Sequence, residues 1–113
     1  MARLSTHVLD ISRGRPAENI LIELRFEGRH IKTAGTNTDG RTDEPLLSGD
    51  RLETGLYELT FYAADYFRSQ GVDLPEQPFL DRVVIQFGIS DPAGNYHVPL
   101  LLSPYGYSTY RGS

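Results

Sequence analysis

The chain of 113 residues is 39% hydrophobic and 23% charged, with a net charge of −4, a profile that predicts one folded domain, residues 1–113, around a modest core. Eleven Lys and Arg are scattered among fifteen Asp and Glu, so there is no basic stripe for a nucleic-acid partner. Cysteine is absent, which excludes a disulfide framework, a thiolate nucleophile and a Cys-ligated metal. The opening MARLSTHVLDIS lacks the apolar run of a signal peptide, and no segment has the length of a membrane span. The expected location is therefore the cytoplasm, with no membrane partner.

Apolar residues recur with a period of two over most of the chain, as in half-buried strands. In THVLDI (6–11), His7, Leu9 and Ile11 share one side, and Thr6, Val8 and Asp10 the other. After the turn residues of SRGRPAEN, ILIELRF (20–26) sets Ile20, Ile22, Leu24 and Phe26 on one face, with Glu23, Arg25 and Glu27 opposite. NTDGR and LSGD are further turn signals, and LYELTFYA (56–63) then aligns Tyr57, Leu59 and Phe61. The rhythm breaks in AADYFRSQGVDLPEQP, where residues 65–70 predict a short helix stopped by Gly71 and followed by a proline-rich loop. RVVIQFGI (82–89) aligns Val83, Ile85, Phe87 and Ile89. Beyond SDPAGN, YHVPLLLS (96–103) aligns Tyr96, Val98, Leu100 and Leu102 against His97, Pro99 and Leu101. LSPYG turns the chain into its ending, YGYSTYRGS, which is aromatic where termini are usually polar and frayed. About eight short strands and one helix predict an all-β antiparallel sandwich.

Two strands have an unusual second face. His7 and Leu9 in the first, and His97, Pro99 and Leu101 in the later one, stand where a solvated sheet carries charge. Such faces are expected to be covered by another subunit. Spacing alone leaves His7 and His97 open between hydrogen-bonding interface residues and site residues. His30, beside Arg29 and near Lys32, reads as a surface residue. Arg41, after the Asp39-Gly40 turn, and Arg111 in the tail have the ordinary reading of solvated arginines. No H-x-H or H-E-x-x-H zinc pattern, G-x-S-x-G elbow or phosphate-binding glycine loop is present.

The ending HVPLLLSPYGYSTYRGS resembles the C-terminal signature of the transthyretin-like proteins that act as 5-hydroxyisourate hydrolases. STHVLDISRGRPA resembles that family's opening strand, with its histidine at His7 and its Pro-Ala turn at Pro16-Ala17. TNTDGR resembles its third motif, with the arginine at Arg41. The resemblance implies a transthyretin-like sandwich and a catalytic set of His7, Arg41 and His97. It also implies substrate contacts from His7, Arg41, Ser108, Tyr110, Arg111, Gly112 and Ser113. It implies a homotetramer, a dimer of dimers with sites where the dimers meet, and a small purine-derived substrate, with neither cofactor nor metal. One departure is Asn95, where many members have a second histidine. The competing expectation is a carrier like transthyretin itself, binding a flat aromatic ligand in the channel between dimers; its equivalents of these positions are not the His, Arg, His set.

The implied reaction opens the ring of 5-hydroxyisourate by adding water to a ring carbonyl. It needs a base for water, a cation for the developing oxyanion and a proton donor for the departing nitrogen. Histidine can serve as base or acid near neutral pH, and a guanidinium is a permanently charged planar fork suited to a flat, oxygen-rich substrate.

Overall fold

The computed structural model describes residues 2–112, which form two sheets packed face to face with one short helix at one end. In chain order the strands are β1 (Arg3–Asp10), β2 (Arg15–Pro16), β3 (Leu21–Phe26), β4 (Arg29–Gly35), β5 (Leu47–Ser48), β6 (Gly55–Phe61), β7 (Val83–Ile89), β8 (Asn95–Ser103) and β9 (Gly106–Thr109). Helix α1 (Ala63–Ser69) follows β6. One sheet runs β2-β1-β8-β9, with β5 also paired to β1; the other runs β4-β3-β6-β7.

The alternation read from the sequence is the alternation of burial. Leu4, Thr6, Val8 and Asp10 of β1 and Tyr96, Val98, Leu100 and Leu102 of β8 point into the sandwich. They meet Ile22 and Leu24 of β3, Tyr57, Leu59 and Phe61 of β6, and Val83, Ile85 and Ile89 of β7 in one continuous core. Burial of such side chains contributes roughly 1.5–3 kcal/mol each, so the inward faces fix the register of both sheets.

The sandwich departs from an all-antiparallel arrangement at one pair. β1 and β8 run parallel over their whole length, from Arg3 opposite Asn95 to Asp10 opposite Leu102. A parallel pair cannot be closed by a hairpin; here the entire second sheet forms the connection. Pro99 also differs from expectation, being already buried within the single chain. It lies in the middle of β8 between β1 and β9, and its carbonyl accepts the Thr109 hydroxyl at 2.7 Å.

Helix α1 begins two residues earlier than predicted because Ala63 and Ala64 are buried against the core together with Tyr66 and Phe67. It stops where predicted: Gly71 takes φ +82°, and Val72 N–H reaches back to the Phe67 carbonyl at 3.0 Å. Tyr66 donates its hydroxyl to Asp10 at 2.8 Å, tying the helix to β1. Burial and that carboxylate push the Tyr66 phenol well above its ordinary pKa.

Candidate active site

The outward face of β1 carries Ser5, His7 and Leu9, and that of β8 carries His97 and Leu101. Parallel pairing sets Ser5 level with His97, His7 with Pro99 and Leu9 with Leu101. The two histidines predicted from opposite ends of the sequence are thus on neighbouring strands, on one face.

Arg41 joins them through the folding of TNTDGR. The Asn37 side-chain oxygen accepts the backbone N–H groups of Asp39 at 2.9 Å and Arg41 at 3.2 Å, and Asn37 N–H donates to the Arg41 carbonyl at 2.7 Å. Gly40 takes φ +78° and is wedged against the Val8 carbonyl, Pro16 and Ala17. Its own carbonyl accepts Val8 N–H at 2.8 Å. Only glycine fits both the left-handed conformation and the contact. Arg41 is thereby placed beside His7 in a backbone bridge, and the Pro16-Ala17 turn acts as the wall on which the arginine loop rests.

His7 Nε2 donates to the Asp39 carbonyl at 2.8 Å. A carbonyl only accepts, so this nitrogen carries a proton in either charge state. His97 is held differently. Its Nδ1 lies 2.9 Å from the Ser5 hydroxyl, and its carbonyl accepts Gly112 N–H at 2.7 Å. Partial burial, then the positive charge of Arg41, then His7 and Arg3, hold its imidazole below the ordinary pKa of 6.5. The ring is thus kept neutral near neutral pH and available as a base.

A cleft of about 320 Å³ opens here, lined by Arg3, Ser5, Arg41, Asn95, Tyr96 and His97. It continues into a depression of about 200 Å³ along Arg41 to Pro45. A larger hollow of about 560 Å³ lies between Ala2, Gly49, Asp50, Leu52, Pro92 and Ala93. Asp50 is its single titratable lining residue, so the hollow pairs no base with a cation. The chemistry resides in the smaller cleft. Among the described residues, no three His, Cys, Asp or Glu side chains are grouped to hold a metal.

The closing residues divide. Gly112 is bridged to His97, and the Arg111 guanidinium stacks 4.1 Å over the Tyr96 ring while donating to the Asn95 carbonyl at 3.1 Å. Tyr110 does not wall the histidine cleft within the chain. It is 62% exposed and borders a separate apolar groove of about 230 Å³ with Phe87 and Val98. Ser108 is exposed on β9 opposite Leu101, and Ser113 lies outside the described residues. His30 is on β4 in the other sheet, 2.7 Å from the Thr33 hydroxyl, away from the cleft as expected. The residues that sequence reasoning missed are Arg3, Ser5 and the Asp39 carbonyl. The first two stand four and two positions before His7 on a strand of period two, which was the available signal.

A two-sheet sandwich with paired histidines and an arginine on the outer face of one sheet defines a transthyretin-like protein with a polar outer surface. The chain belongs to the HIUase/Transthyretin family, whose profile matches residues 4–112. It is 61% identical to 5-hydroxyisourate hydrolase 2 of Rhizobium meliloti (strain 1021), over 98% of this chain and 96% of that protein. Among solved structures, 5-hydroxyisourate hydrolase of Klebsiella pneumoniae superposes with a TM-score of 0.85 at 38% identity, covering both chains fully. (S)-Allantoin synthase superposes with a TM-score of 0.94 at 43% identity, over 99% of this chain. The chain spans 44% of the length of that synthase.

Proposed function

We propose that the protein hydrolyses 5-hydroxyisourate to 2-oxo-4-hydroxy-4-carboxy-5-ureidoimidazoline. The observation that carries this reading is the meeting of Arg41 and His97 at one cleft where His97 is kept neutral, with His7, from a third segment, bridged to Arg41 beside it. The names and high identity of the relatives support it.

In the proposed reaction, His97 takes a proton from water as its oxygen attacks a ring carbonyl. The Arg41 guanidinium faces the oxyanion that forms. The carbon–nitrogen bond then breaks, leaving a carboxylate, and the departing nitrogen receives a proton. His7 suits that delivery: its Nε2–H is committed to Asp39, which leaves Nδ1 as the nitrogen for proton exchange. Positioned proton transfer of this kind contributes about 10²–10⁴-fold.

The chain is read as a single domain, since both sheets share one core. The proposed assembly is a homotetramer of paired dimers. Its support is the apolar pair Leu9 and Leu101 on the same outer face as the site. The proposed location is the cytoplasm, in keeping with a cysteine-free composition suited to a reducing compartment.

The test is the ultraviolet decay of freshly generated 5-hydroxyisourate. Accelerated decay, unchanged by EDTA, is expected. Decay at the spontaneous rate with folded protein overturns the hydrolase reading, and binding of a thyronine without turnover would favour a carrier.

A further inference from the structure

The His97 ring is gripped on two edges. On one, Nδ1 meets the Ser5 hydroxyl at 2.9 Å, across the in-register parallel pair of β1 and β8. On the other, the backbone of Gly112 presses so close that a Cβ there would lie 2.7 Å from His97 Cδ2 and 3.3 Å from Cγ. Gly112 is drawn in by its N–H, which donates to the His97 carbonyl at 2.7 Å. What remains of the ring is the edge from Cε1 to Nε2, and among the described residues Nε2 makes no hydrogen bond.

The geometry points to Ser5 and Gly112 as positioning residues that clamp His97 in the tautomer protonated at Nδ1, with the lone pair of Nε2 presented to the cleft. Neither touches the reacting atoms in this account; both act through His97. The charge around the ring selects the tautomer. Arg3 and Arg41 line the cleft with His97, and a cationic field favours a lone pair directed towards it over an N–H dipole. Ser5 then accepts from Nδ1–H, a direction open to a hydroxyl, which can donate or accept. Gly112 stops the ring from rotating away and is the residue type that allows such close backbone approach. The glycine of the closing Tyr-Arg-Gly-Ser is thus assigned a task distinct from substrate contact.

The kinetic arm rests on the hydrolase reading; the spectroscopic arm does not. In ¹⁵N-histidine-labelled protein without substrate, the His97 ring shifts are expected to report a protonated Nδ1 and an unprotonated Nε2 at pH 7.5. Ser5→Ala is expected to mix the tautomers, and Ser5→Thr, which keeps the hydroxyl, to restore the wild-type pattern. In turnover, Ser5→Ala and Gly112→Ala lower kcat by about tenfold to a hundredfold with KM little changed, since small displacements of a catalytic group cost up to about 10²-fold. Melting curves on the same samples separate this from unfolding, and Ser5→Thr provides a folded control. A wild-type ring protonated at Nε2, or a Ser5→Ala spectrum identical to wild type, overturns the clamp. If wild type shows no turnover while the expected ring shifts appear, the hydrolase reading fails and the clamp stands.

Discussion

His7 and Asp39 are joined by a bond from ring Nε2 to backbone carbonyl, 2.8 Å long, between β1 and the TNTDGR loop. It makes one side chain both a neighbour of Arg41 at the candidate site and a strut for the loop that carries that arginine. His7→Ala is therefore expected to reduce kcat/KM by about 10²–10⁴-fold, while stability falls by only about 1 kcal/mol for one exposed hydrogen bond. Steady-state kinetics and denaturant melts on one preparation test the split.

The depressed pKa of His97 has two consequences for pH. The base stays neutral as pH falls through 6.5, the ordinary histidine value, so the acid limb of kcat/KM is expected below it. Removing the Arg41 charge, the second cause after burial, moves that limb upward in Arg41→Ala. For stability, the unfolded chain takes up the proton before the folded one does. Stability contributed by this group is thus complete above about pH 6.5 and declines as pH falls towards the folded pKa. His97→Asn should flatten that part of a stability-against-pH curve.

Gly40→Ala places a methyl group against the Val8 carbonyl on a backbone at φ +78°. A loss of about 2 kcal/mol or more is expected from strain and crowding together. Because Arg41 follows directly, substrate affinity should fall in the molecules that remain folded. Gly28→Ala, also at positive φ but with open space around it, provides the comparison: a smaller stability loss and unchanged KM.

Leu101 stands beside Leu9 on the face that carries the site. In the proposed assembly Leu101→Glu puts a charge into each copy of a two-fold contact and is expected to split the proposed tetramer into dimers, with activity reduced in step. Sedimentation velocity at micromolar concentration decides it. A wild-type monomer would contradict the proposed assembly.

Deleting residues 110–113 removes the Gly112 bond to His97 and the stack of Arg111 on Tyr96, but no member of the buried core. The sandwich should persist with a loss of about 1–2 kcal/mol, while most turnover disappears. Normal turnover per folded molecule would reduce these residues to packing.

Much of the architecture was legible because one face of β1, β3, β6, β7 and β8 is buried. The alternation in these strands is therefore written in apolar side chains. β4 was not singled out as a strand, and its burial shows why. It is an edge strand, mostly exposed along its length, so neither face imposes a pattern. β2 and β5 have two residues each, too few for any period. The candidate site was legible through the motif resemblance, which supplied Arg41 and His97 of the cleft and His7 bridged to Arg41. Period two had put the histidines on covered faces but could not say that β1 and β8 are neighbours. That adjacency depends on a parallel pairing between segments remote in sequence. The seating of Gly40 and the approach of Gly112 are packing facts with no local signature beyond the glycine itself.

The parallel ladder of β1 and β8 also bears on how the molecule comes into being. Ser5 and His97 are 92 positions apart, and closing a loop of that length is entropically costly before any contact compensates for it. Topologies dominated by distant pairings fold slowly. The local hairpin β3–β4 can form, and β6 can add to it, while β8 is still inside the ribosome, but β1 must wait with the edge that meets β8 unpaired. Catalytic competence would then be the last property acquired during synthesis. In the interval β1 is an open strand needing chaperone cover, or exposed to mispairing with another nascent chain.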